Sequence, residues 1–469
     1  MEASAEKRQF IEHLWSFKKI IGETYVVTDE DSLNNYAHDE TENLHFPPDI
    51  VIKPRTAEEL AEAMKICNEF KIPVTPRGAG TGLSGGALPH LGGVLVSFER
   101  MNSIDIDERN LQVTVEPGVI TEVLQNPVKE KGLFYPPDPS SRGSCFIGGN
   151  IAENSGGPKA VKYGVVKDYV LNLQVVLPTG DIIWTGANVL KNSTGYNLTQ
   201  LMVGSEGTLG LVTKIVLKLL PHPVHELLML VPFNNLEKAG EAVSAIFRAG
   251  FTPSALELVE IDALKIVSSF VDSTVVPVTD DMEAHLIVEV DGNNQDVLMQ
   301  EMEAISELLT KFDCGEIFFA DDAQQKAELW KLRRRVAEAV KLDGYTIEED
   351  TVVPRAELPA LIRGVKELGR EYHFKAVCYG HAGDGNLHIR IKKEGNIYSL
   401  NNPNVIPALK ALFELVKKLG GTISGEHGIG LIQKEYMGIM FGDTQLEIMR
   451  GIKKAFDPNN ILNSGKIFD

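Results

Sequence analysis

The chain has 469 residues, which is enough for two or three domains with ordinary hydrophobic cores. Its hydrophobic content of 43% and charged content of 24% are those of a soluble globular protein. The formal net charge of −19 argues against nucleic acid or an anionic membrane surface as the main partner, because both would repel the chain.

The four cysteines are widely separated and form no CxxC pair; they are Cys67, Cys145, Cys314 and Cys378. This spacing excludes a self-contained iron–sulfur cluster of ordinary type and does not suggest a disulfide framework. We therefore expect a reducing, cytoplasmic location, with peripheral attachment to the inner membrane left open.

The N-terminal segment, residues 1–19, predicts an amphipathic surface helix. It lacks a continuous apolar stretch and is too acidic for a transit peptide, with Glu2, Glu6 and Glu12. No segment approaches about 18 consecutive apolar residues, so none is predicted to span a bilayer.

The first part of the chain alternates helix and strand. Apolar periodicity predicts a helix over Thr56–Phe70, opened by a capping-box pattern of Thr56 and Glu59. Pro73–Pro76 is expected to be extended. Runs rich in β-branched residues predict further strands at Val94–Phe98, Leu111–Val115, Leu171–Leu177 and Leu209–Leu220.

Pro221-His222-Pro223 is the strongest candidate domain boundary, because two nearby prolines stop a strand. Beyond it, helical stretches separate predicted strands at Leu227–Val231, Ala255–Val259, Leu286–Val290 and Ile317–Phe319. That rhythm indicates an α+β domain with a mostly antiparallel sheet. From about Val405 the pattern is helical, interrupted by the glycine segment Gly420–Gly430.

Two glycine-rich segments near the C-terminus carry three histidines and a glutamate: Tyr379–His388 (YGHAGDGNLH) and Ser424–Gly430 (SGEHGIG). Flanking glycines let the backbone bend sharply and approach a ligand closely. Two imidazoles and a carboxylate brought together could hold one divalent metal with open positions, and His427 is then a candidate proton acceptor. The alternative is a set of polar turn residues in glycine-rich loops.

A first glycine loop, Pro76–Ala87 (PRGAGTGLSGGA), contains a GxGxxG pattern from Gly80 to Gly85. A dinucleotide fingerprint requires a helix directly after such a loop, but here a proline, two more glycines and a strand follow. The Rossmann interpretation therefore fails. What remains is a nest of backbone N–H groups for a pyrophosphate, with a flexible glycine linker as the alternative.

Further segments share this composition. Pro136–Ser141 is stiff and extended, and the second glycine loop, Gly148–Gly157 (GGNIAENSGG), offers small polar residues suited to a large flat cofactor. Tyr163-Gly164 and Gly204–Gly210 (GSEGTLG) complete the set.

In their order and composition these motifs resemble the FAD-dependent 2-hydroxyacid dehydrogenases and oxidases of the vanillyl-alcohol-oxidase fold, with type-4 FAD binding. That family includes the catalytic subunit of bacterial glycolate oxidase, D-lactate dehydrogenases and D-2-hydroxyglutarate dehydrogenase. The resemblance runs from about Pro48 to Lys466 and includes Asn463–Lys466, where Ser464 replaces the proline of an Asn-Pro-Gly-Lys ending. It implies an α+β architecture: a two-part FAD-binding domain over 1–220, a mostly antiparallel α+β cap domain for the substrate over 221–404, and a helical segment completing the active site over 405–469.

The resemblance also implies site residues. The cofactor-binding set is Pro76, Arg77, Gly78, Ala79, Gly80, Thr81, Gly82, Ser84, Gly85, Pro137, Asp138, Gly148, Gly149, Asn150, Ala152, Asn154, Gly156, Gly157, Tyr163, Gly164, Glu206, Gly210, Val212 and Asn463. The metal ligands are His381, His388 and Glu426, for Zn²⁺ or alternatively Fe²⁺ or Mn²⁺. Because the first glycine loop has no histidine before His90, we expect FAD to be bound non-covalently.

Oxidation of a 2-hydroxyacid removes a hydride from C2 and a proton from the hydroxyl group. Flavin accepts the hydride, the metal polarises the hydroxyl, and His427 is the candidate base. For the substrate carboxylate we favour Arg333, with an exposed basic helix face as the alternative. Ala337 and Glu348 stand where 2-hydroxyglutarate enzymes use Thr and Lys, which favours lactate or glycolate over a dicarboxylate.

Two other functions compete with this one. A flavin electron-transfer subunit of a larger hydroxyacid oxidase would lack the histidine segments, which are present here. A flavin-free metal hydrolase or non-haem iron oxygenase would not need the glycine loops. The electron acceptor stays open among oxygen, a quinone, a cytochrome, an electron-transferring flavoprotein and an iron–sulfur subunit. We expect a homodimer or a subunit of a complex.

Overall fold

The computed structural model of the chain describes residues 13–271, 276, 278–279, 281–320, 322–393 and 405–468. Residues 13–21 form the first helix, α1, which overlaps the predicted N-terminal helix; the rest of that prediction lies outside the described residues. No helix in the described part of the chain is long and apolar enough to cross a membrane.

A four-stranded sheet opens the fold, with strand order β1-β2-β4-β3. Its elements are β1 (Val26–Val27), α2 (Glu30–Asn34), β2 (Ile50–Ile52), α3 (Ala57–Phe70), β3 (Val74–Arg77) and β4 (Val94–Ser97). The predicted helix is confirmed, since Thr56 Oγ accepts the Glu59 N–H at 3.2 Å. The Glu59 carboxylate closes the cap one residue earlier than expected, on the N–H of Arg55 at 2.7 Å.

A five-stranded antiparallel sheet follows, with order β5-β6-β10-β8-β9. The elements of this region are β5 (Ile104–Asp107), β6 (Gln112–Val115), α4 (Thr121–Glu130), β7 (Leu133–Phe134), α5 (Ile147–Glu153), α6 (Ala160–Tyr163), β8 (Val170–Val176), β9 (Ile182–Trp184), α7 (Leu198–Met202), β10 (Leu211–Lys218) and β11 (Leu220–Pro221). The strand predicted over Leu209–Leu220 is thus two strands, because β11 leaves the sheet to pair with β7.

A seven-stranded antiparallel sheet, here called the cap sheet, has the order β15-β12-β14-β13-β17-β18-β16. Its region contains β12 (His225–Phe233), α8 (Leu236–Arg248), β13 (Ala255–Glu260), α9 (Ile261–Val271), β14 (Ala284–Gly292), α10 (Gln295–Leu309), β15 (Phe318–Phe319), α11 (Ala323–Leu342), β16 (Ile347–Val352), α12 (Leu358–Tyr372), β17 (Phe374–Gly380) and β18 (Asn386–Lys393). The predicted α+β character and antiparallel sheet are confirmed.

The remaining helices are α13 (Val405–Lys418), α14 (Met437–Met440) and α15 (Asp443–Phe456), and single 3₁₀ turns lie at Glu23–Tyr25, Val166–Asp168, Thr310–Phe312, Arg355–Glu357 and Lys434–Tyr436. One face of the cap sheet packs on α8, α10, α12 and α13, and the other on α9 and α11. Both faces are therefore buried, which explains the long apolar runs of its central strands.

After α15 the chain returns to the first sheet. Leu462 bridges Val74 of β3, and Ile461 and Leu462 join the core beneath α3. The N–H of Asn463 donates to Val74 O at 2.7 Å, which fixes Asn463 beside the first glycine loop. The proposed division at residues 220 and 404 stays a prediction.

In the cap sheet, sequence reasoning missed three strands, namely β16, β17 and β18. The histidine motif Tyr379–His388 reads as a glycine-rich loop, but its glycines serve the turn of the β17–β18 hairpin, where Gly380 and Gly385 have φ of +157° and +85°. β16 contains the polar run Glu348–Thr351, which does not look like a strand, although these side chains are all largely buried.

Candidate active site

The β17–β18 hairpin brings two of the predicted ligands together. His381 lies in its turn and His388 on β18, and both side chains are buried, at 4% and 6% exposure. Glu257 of the neighbouring strand β13 lies alongside, with its carboxylate 2.8 and 3.0 Å from His381 Nδ1. His381 Nε2 is consequently left to face the third predicted ligand.

Glu426 faces both histidines. Its Oε1 lies 3.4 Å from His381 Nε2 and 3.6 Å from His388 Nε2. Atoms bound about 2.1 Å from a tetrahedral Zn²⁺ lie about 3.4 Å apart, so the three side chains have the spacing of a metal donor set. The structure therefore brings His381, His388 and Glu426 together as the sequence predicted.

A second donor set overlaps the first, since Glu348, His388 and His427 also have donor atoms close together. Glu348 Oε1 lies 3.4 Å from His388 Nδ1, but the same carboxylate pairs with Arg390 and accepts from the Tyr379 hydroxyl at 3.3 Å. Glu348 is thus already neutralised by the protein, whereas the Glu426 carboxylate faces imidazoles, those of His381 and His388.

The charges of this cluster perturb one another. Burial alone would raise the pKa of Glu426, but His381, with help from His388 and His427, holds it well below its ordinary value. Burial alone would lower the pKa of His427, whereas the carboxylates of Asp350, Glu348 and Glu426 raise it. These carboxylates thus raise the pKa of His427 above that of a free imidazole, and a bound cation would oppose that effect.

Arg333, the predicted carboxylate ligand, lies on α11 and is only 4% exposed, which argues against an exposed basic face. Its Nη2 lies 2.6 Å from Glu257 Oε2, the carboxylate that also contacts His381. Its Nε is buried, and no residue in the described part of the chain forms a hydrogen bond with it. The neighbouring Arg334 and Arg335 instead pair with Asp138 and Glu338, at 2.9 and 2.8 Å.

Two adjoining cavities join this cluster to the glycine loops. The main cavity, of about 480 Å³, is lined on one side by both glycine loops and on the other by Arg333, Glu348, Tyr379, His388, Arg390, Glu426 and His427. A smaller slot of about 90 Å³ continues from it towards Asn463. Five residues line both: Gly78, Gly86, Ala87, Gly149 and Glu153.

Fifteen of the predicted cofactor residues line these cavities: Pro76, Arg77, Gly78, Ala79, Gly80, Thr81, Gly82, Gly148, Gly149, Asn150, Ala152, Glu206, Gly210, Val212 and Asn463. A Cβ atom on Gly82 or Gly149 would meet no protein atom within 4 Å, so bare backbone faces the cavity there. Arg77 Nη1 is buried beneath the first loop and has no hydrogen-bond partner among the residues that the structure describes. These features fit a large cofactor with anionic phosphates.

Nine others, all in the described part of the chain, line neither cavity: Ser84, Gly85, Pro137, Asp138, Asn154, Gly156, Gly157, Tyr163 and Gly164. Several of them join the glycine loops to the cap sheet and α11. Asp138 pairs with Arg334, and the Tyr163 hydroxyl donates to Asp291 at 2.8 Å. Lys162 binds the same carboxylate at 2.6 Å.

Sequence reasoning missed Glu257, Asp350 and Arg390. Glu257 had a weak signal, as a carboxylate in the middle of the otherwise apolar stretch ALELV of its strand. Arg390 had a better one, because it lies two residues beyond His388 and hence on the same face of β18. Asp350 had no local signal.

Family models decide the wider assignment. A model of the C-terminal domain of FAD linked oxidases matches residues 222–467, and a FAD binding domain model matches residues 48–186. The chain belongs to the FAD-linked oxidases. It is accordingly a FAD-linked oxidoreductase, as its resemblance implied.

Curated relatives of this FAD-linked oxidase span nearly its whole length. It is 40% identical over 441 residues to glycolate oxidase subunit GlcD of Bacillus subtilis, covering 92% of each chain. It is 38% identical over 462 residues to D-lactate dehydrogenase of Anaerostipes hadrus, covering 97% of each.

The fold has a solved counterpart in substrate-bound p-cresol methylhydroxylase, with a TM-score of 0.81, 19% identity and coverage of 98% of this chain and 97% of that one. At this identity the likeness concerns the fold alone. The predicted fold class, a FAD-binding domain of vanillyl-alcohol-oxidase type with an α+β cap, is confirmed.

Proposed function

We propose that this FAD-linked oxidase converts a small D-2-hydroxyacid, D-lactate or glycolate, into the 2-oxoacid. The observation that carries the proposal is the main cavity, which has the glycine loops on one wall and the cluster of His388, Glu426 and His427 on the other. A small hydroxyacid in that space would lie between a cofactor and a metal donor set. The names of the two curated relatives agree with this substrate class.

FAD, when bound non-covalently along the two glycine loops, supplies an acceptor for the C2 hydride. The chain's part is to present bare backbone at Gly82 and Gly149, where side chains would fill the cavity. The unpartnered Arg77 Nη1 is available to a phosphate beneath the first loop.

His381, His388 and Glu426 would hold a divalent metal, Zn²⁺ or else Fe²⁺ or Mn²⁺, which supplies Lewis acidity towards the substrate hydroxyl. We favour this set over Glu348, His388 and His427 because Arg390 already neutralises Glu348. Glu257 supports the choice, since a carboxylate on Nδ1 turns Nε2 of His381 towards the ion.

His427 would accept the hydroxyl proton. Its Nδ1 is turned to Asp350 Oδ2, 4.0 Å away, so Nε2 is the ring nitrogen left for the substrate. Arg333 would bind the substrate carboxylate through the N–H groups that Glu257 does not use. Glu348 on the same cavity wall occupies Arg390, so this guanidinium is not free to bind a second carboxylate, which is why we propose a monocarboxylate.

The proposal is tested by replacing His427 with alanine. His427→Ala should keep flavin and metal, but its flavin should be reduced by D-lactate about 10²–10⁴-fold more slowly, the usual range for a lost general base. Rapid mixing with detection at the flavin absorbance band measures this rate. Glu426→Ala is the companion variant and should lose the metal. Reduction of His427→Ala at nearly the wild-type rate would contradict the proposal.

We also infer that a separate partner reoxidises the flavin, namely an electron-transferring flavoprotein, an iron–sulfur subunit or a quinone. The relative named as a subunit of glycolate oxidase supports assembly with other chains. A cytoplasmic location, with peripheral attachment to the membrane, suits such partners. Turnover with each acceptor class, compared with an artificial dye, is the test.

A further inference from the structure

The loop that carries Glu426 and His427, residues 424–431 and here called the His427 loop, is curled around a carboxylate of the cap sheet. The backbone N–H groups of three consecutive residues, Gly425, Glu426 and His427, donate to Asp350 Oδ2 at 2.9, 2.7 and 2.9 Å. The other oxygen of Asp350 accepts from Asn386 Nδ2 at 2.6 Å. Asp350 is 1% exposed, so these bonds are shielded from water.

The far end of the same loop is held from the opposite side, by a carboxylate of the FAD-binding part. Glu206 accepts the N–H of Ile429 on Oε1 at 2.8 Å and the N–H of Gly430 on Oε2 at 2.7 Å. Glu206 is itself 6% exposed, and Asn463 Nδ2 donates to its carbonyl at 2.7 Å. The Glu206 side chain therefore holds this loop, and its expected contact with the cofactor stays a prediction.

Between its contacts with these two carboxylates, the loop has little conformational freedom. Gly428, the residue between them, has φ of +77°, and a Cβ there would collide with the Glu153 carboxylate. Leu431 N–H donates to Ser84 O at 2.8 Å, which ties the loop directly to the first glycine loop. Five of the six N–H groups from Gly425 to Gly430 thus end on just two carboxylates.

We propose that Asp350 and Glu206 are positioning residues. Together they hold the proton acceptor, His427, at its place between the cap sheet and the cofactor. Asp350 fixes where the His427 side chain projects from the loop. Glu206 fixes the distance of the whole loop from the FAD-binding part. Neither carboxylate touches the reacting atoms; each acts through the backbone of the His427 loop. This inference rests on the role proposed above for His427.

The negative charge of the acceptors explains why carboxylates are needed. Three N–H groups converging on one oxygen form an anion-binding nest, and a negative oxygen accepts them far better than an amide oxygen does. Asp350→Asn and Glu206→Gln keep the side-chain size but replace one acceptor oxygen with a donor NH₂ group. The loop should shift, and a misplacement of about 1 Å near the chemistry can cost about 10²-fold in rate.

The experiment uses the full-length, FAD- and metal-loaded protein with D-lactate. We expect Asp350→Asn and Glu206→Gln to lower the flavin reduction rate at saturating D-lactate by about 10–100-fold. Flavin content, reduction by dithionite and the apparent Kd for D-lactate should stay near the wild-type values. The matched control is Glu260→Gln, which removes a buried carboxylate that accepts the N–H of Cys378 at 2.8 Å in the same sheet. It should lower stability and leave the reduction rate unchanged.

A double variant separates positioning from general loosening of the fold. Because Asp350 acts through His427, Asp350→Asn should slow a His427→Ala protein by no more than about threefold, whereas independent effects would multiply. Glu206→Gln combined with His427→Ala provides a second double-mutant cycle. If Asp350→Asn does not fold, this second cycle alone tests the inference. Multiplicative slowing in the tested cycles, or single variants that reduce flavin at the wild-type rate, would overturn the inference. A wild-type rate in His427→Ala itself would instead overturn the proposed function.

Discussion

Glu257 Oε1 lies 2.8 Å from Nδ1 of His381, and Nε2 of the same ring faces Glu426 at 3.4 Å. The imidazole thus connects two carboxylates, one buried behind it and one at the main cavity. With a metal in place, Nδ1–H would donate to Glu257 and leave Nε2 as the ligand atom, the arrangement in which an outer carboxylate fixes a ligand's tautomer. Arg333 balances the charge of Glu257 from the other side.

Glu257→Gln should therefore weaken metal binding without removing any proposed ligand. Loss of an outer-shell carboxylate usually costs about 10–100-fold in metal affinity. Competition with a chelator of known affinity, followed by elemental analysis, measures the change, and flavin content should not move. Glu260→Gln, three residues along the same strand, should keep wild-type affinity. Equal affinity in Glu257→Gln and the wild type would show that His381 is not a ligand through Nε2.

Gly149→Leu tests the cofactor cradle. Its Cβ would meet no protein atom within 4 Å, so the chain should fold, but the leucine would occupy space in both cavities. We expect protein that purifies largely without flavin, measured as the ratio of visible to ultraviolet absorbance. Gly451→Leu is the control, since its Cβ also meets nothing and it lies on α15, away from both cavities. Full flavin content in Gly149→Leu would place the cradle elsewhere.

The histidine ligands could be predicted from sequence because both lie in one short motif, whereas their partners could not. Glu257 stands 124 positions before His381. The two meet because β13 pairs with β17 so that Leu258 lies opposite Gly380. That register follows from packing of the whole cap sheet, which no local pattern encodes.

Strand β16 could not be predicted from the sequence either, but for a different reason. Strand patterns are recognised by alternation of apolar and polar residues, but Glu349, Asp350 and Thr351 are consecutive and all at most 2% exposed. They are tolerated because each has a partner, such as Gln433 on Glu349 at 2.8 Å and the His427 loop on Asp350. These polar side chains are buried because they support the active site and not because they form the hydrophobic core. A search of the sequence for apolar core patterns therefore does not find this strand.

His285 predicts a pH effect on stability away from the active site. It is fully buried on β14, and its Nδ1 has no hydrogen-bond partner within the described ranges. Burial lowers its pKa to about 4. Between about pH 6.5 and pH 4 the unfolded chain therefore binds a proton at this residue that the folded chain does not. Stability from this group is complete above pH 6.5 and is lost as the pH falls towards 4.

His285→Leu should remove this dependence. Between pH 7 and pH 5 the variant should lose about 2 kcal/mol less unfolding free energy than the wild type. Urea denaturation followed by circular dichroism at the two pH values gives the comparison, and other histidines cancel because both proteins contain them. The same pH dependence in both proteins would mean that His285 is protonated in the folded state.

The last prediction concerns substrate choice and starts from the pair Glu348 and Arg390, which line the main cavity together. Tyr379 connects them, since its hydroxyl donates to Glu348 and accepts from Arg390 Nε, both at 3.3 Å. While Glu348 is ionised, it neutralises the Arg390 guanidinium, which is then not free to bind a second substrate carboxylate. Glu348→Gln removes the negative charge that neutralises Arg390. The guanidinium would then be free to bind the second carboxylate of a longer hydroxyacid that reaches this wall of the cavity.

We expect Glu348→Gln to raise the ratio of kcat/KM for D-2-hydroxyglutarate over D-lactate by about tenfold, equivalent to about 1.4 kcal/mol. Glu338→Gln is the matched control: Glu338 also lines the cavity but pairs with Arg335 at the helix surface, so its ratio should stay constant. Metal content must be measured in parallel, because Glu348 lies 3.4 Å from His388 Nδ1. If metal and flavin are retained and the ratio is unchanged, Arg390 does not face the distal end of the substrate, and the preference for a monocarboxylate must come from the size of the cavity.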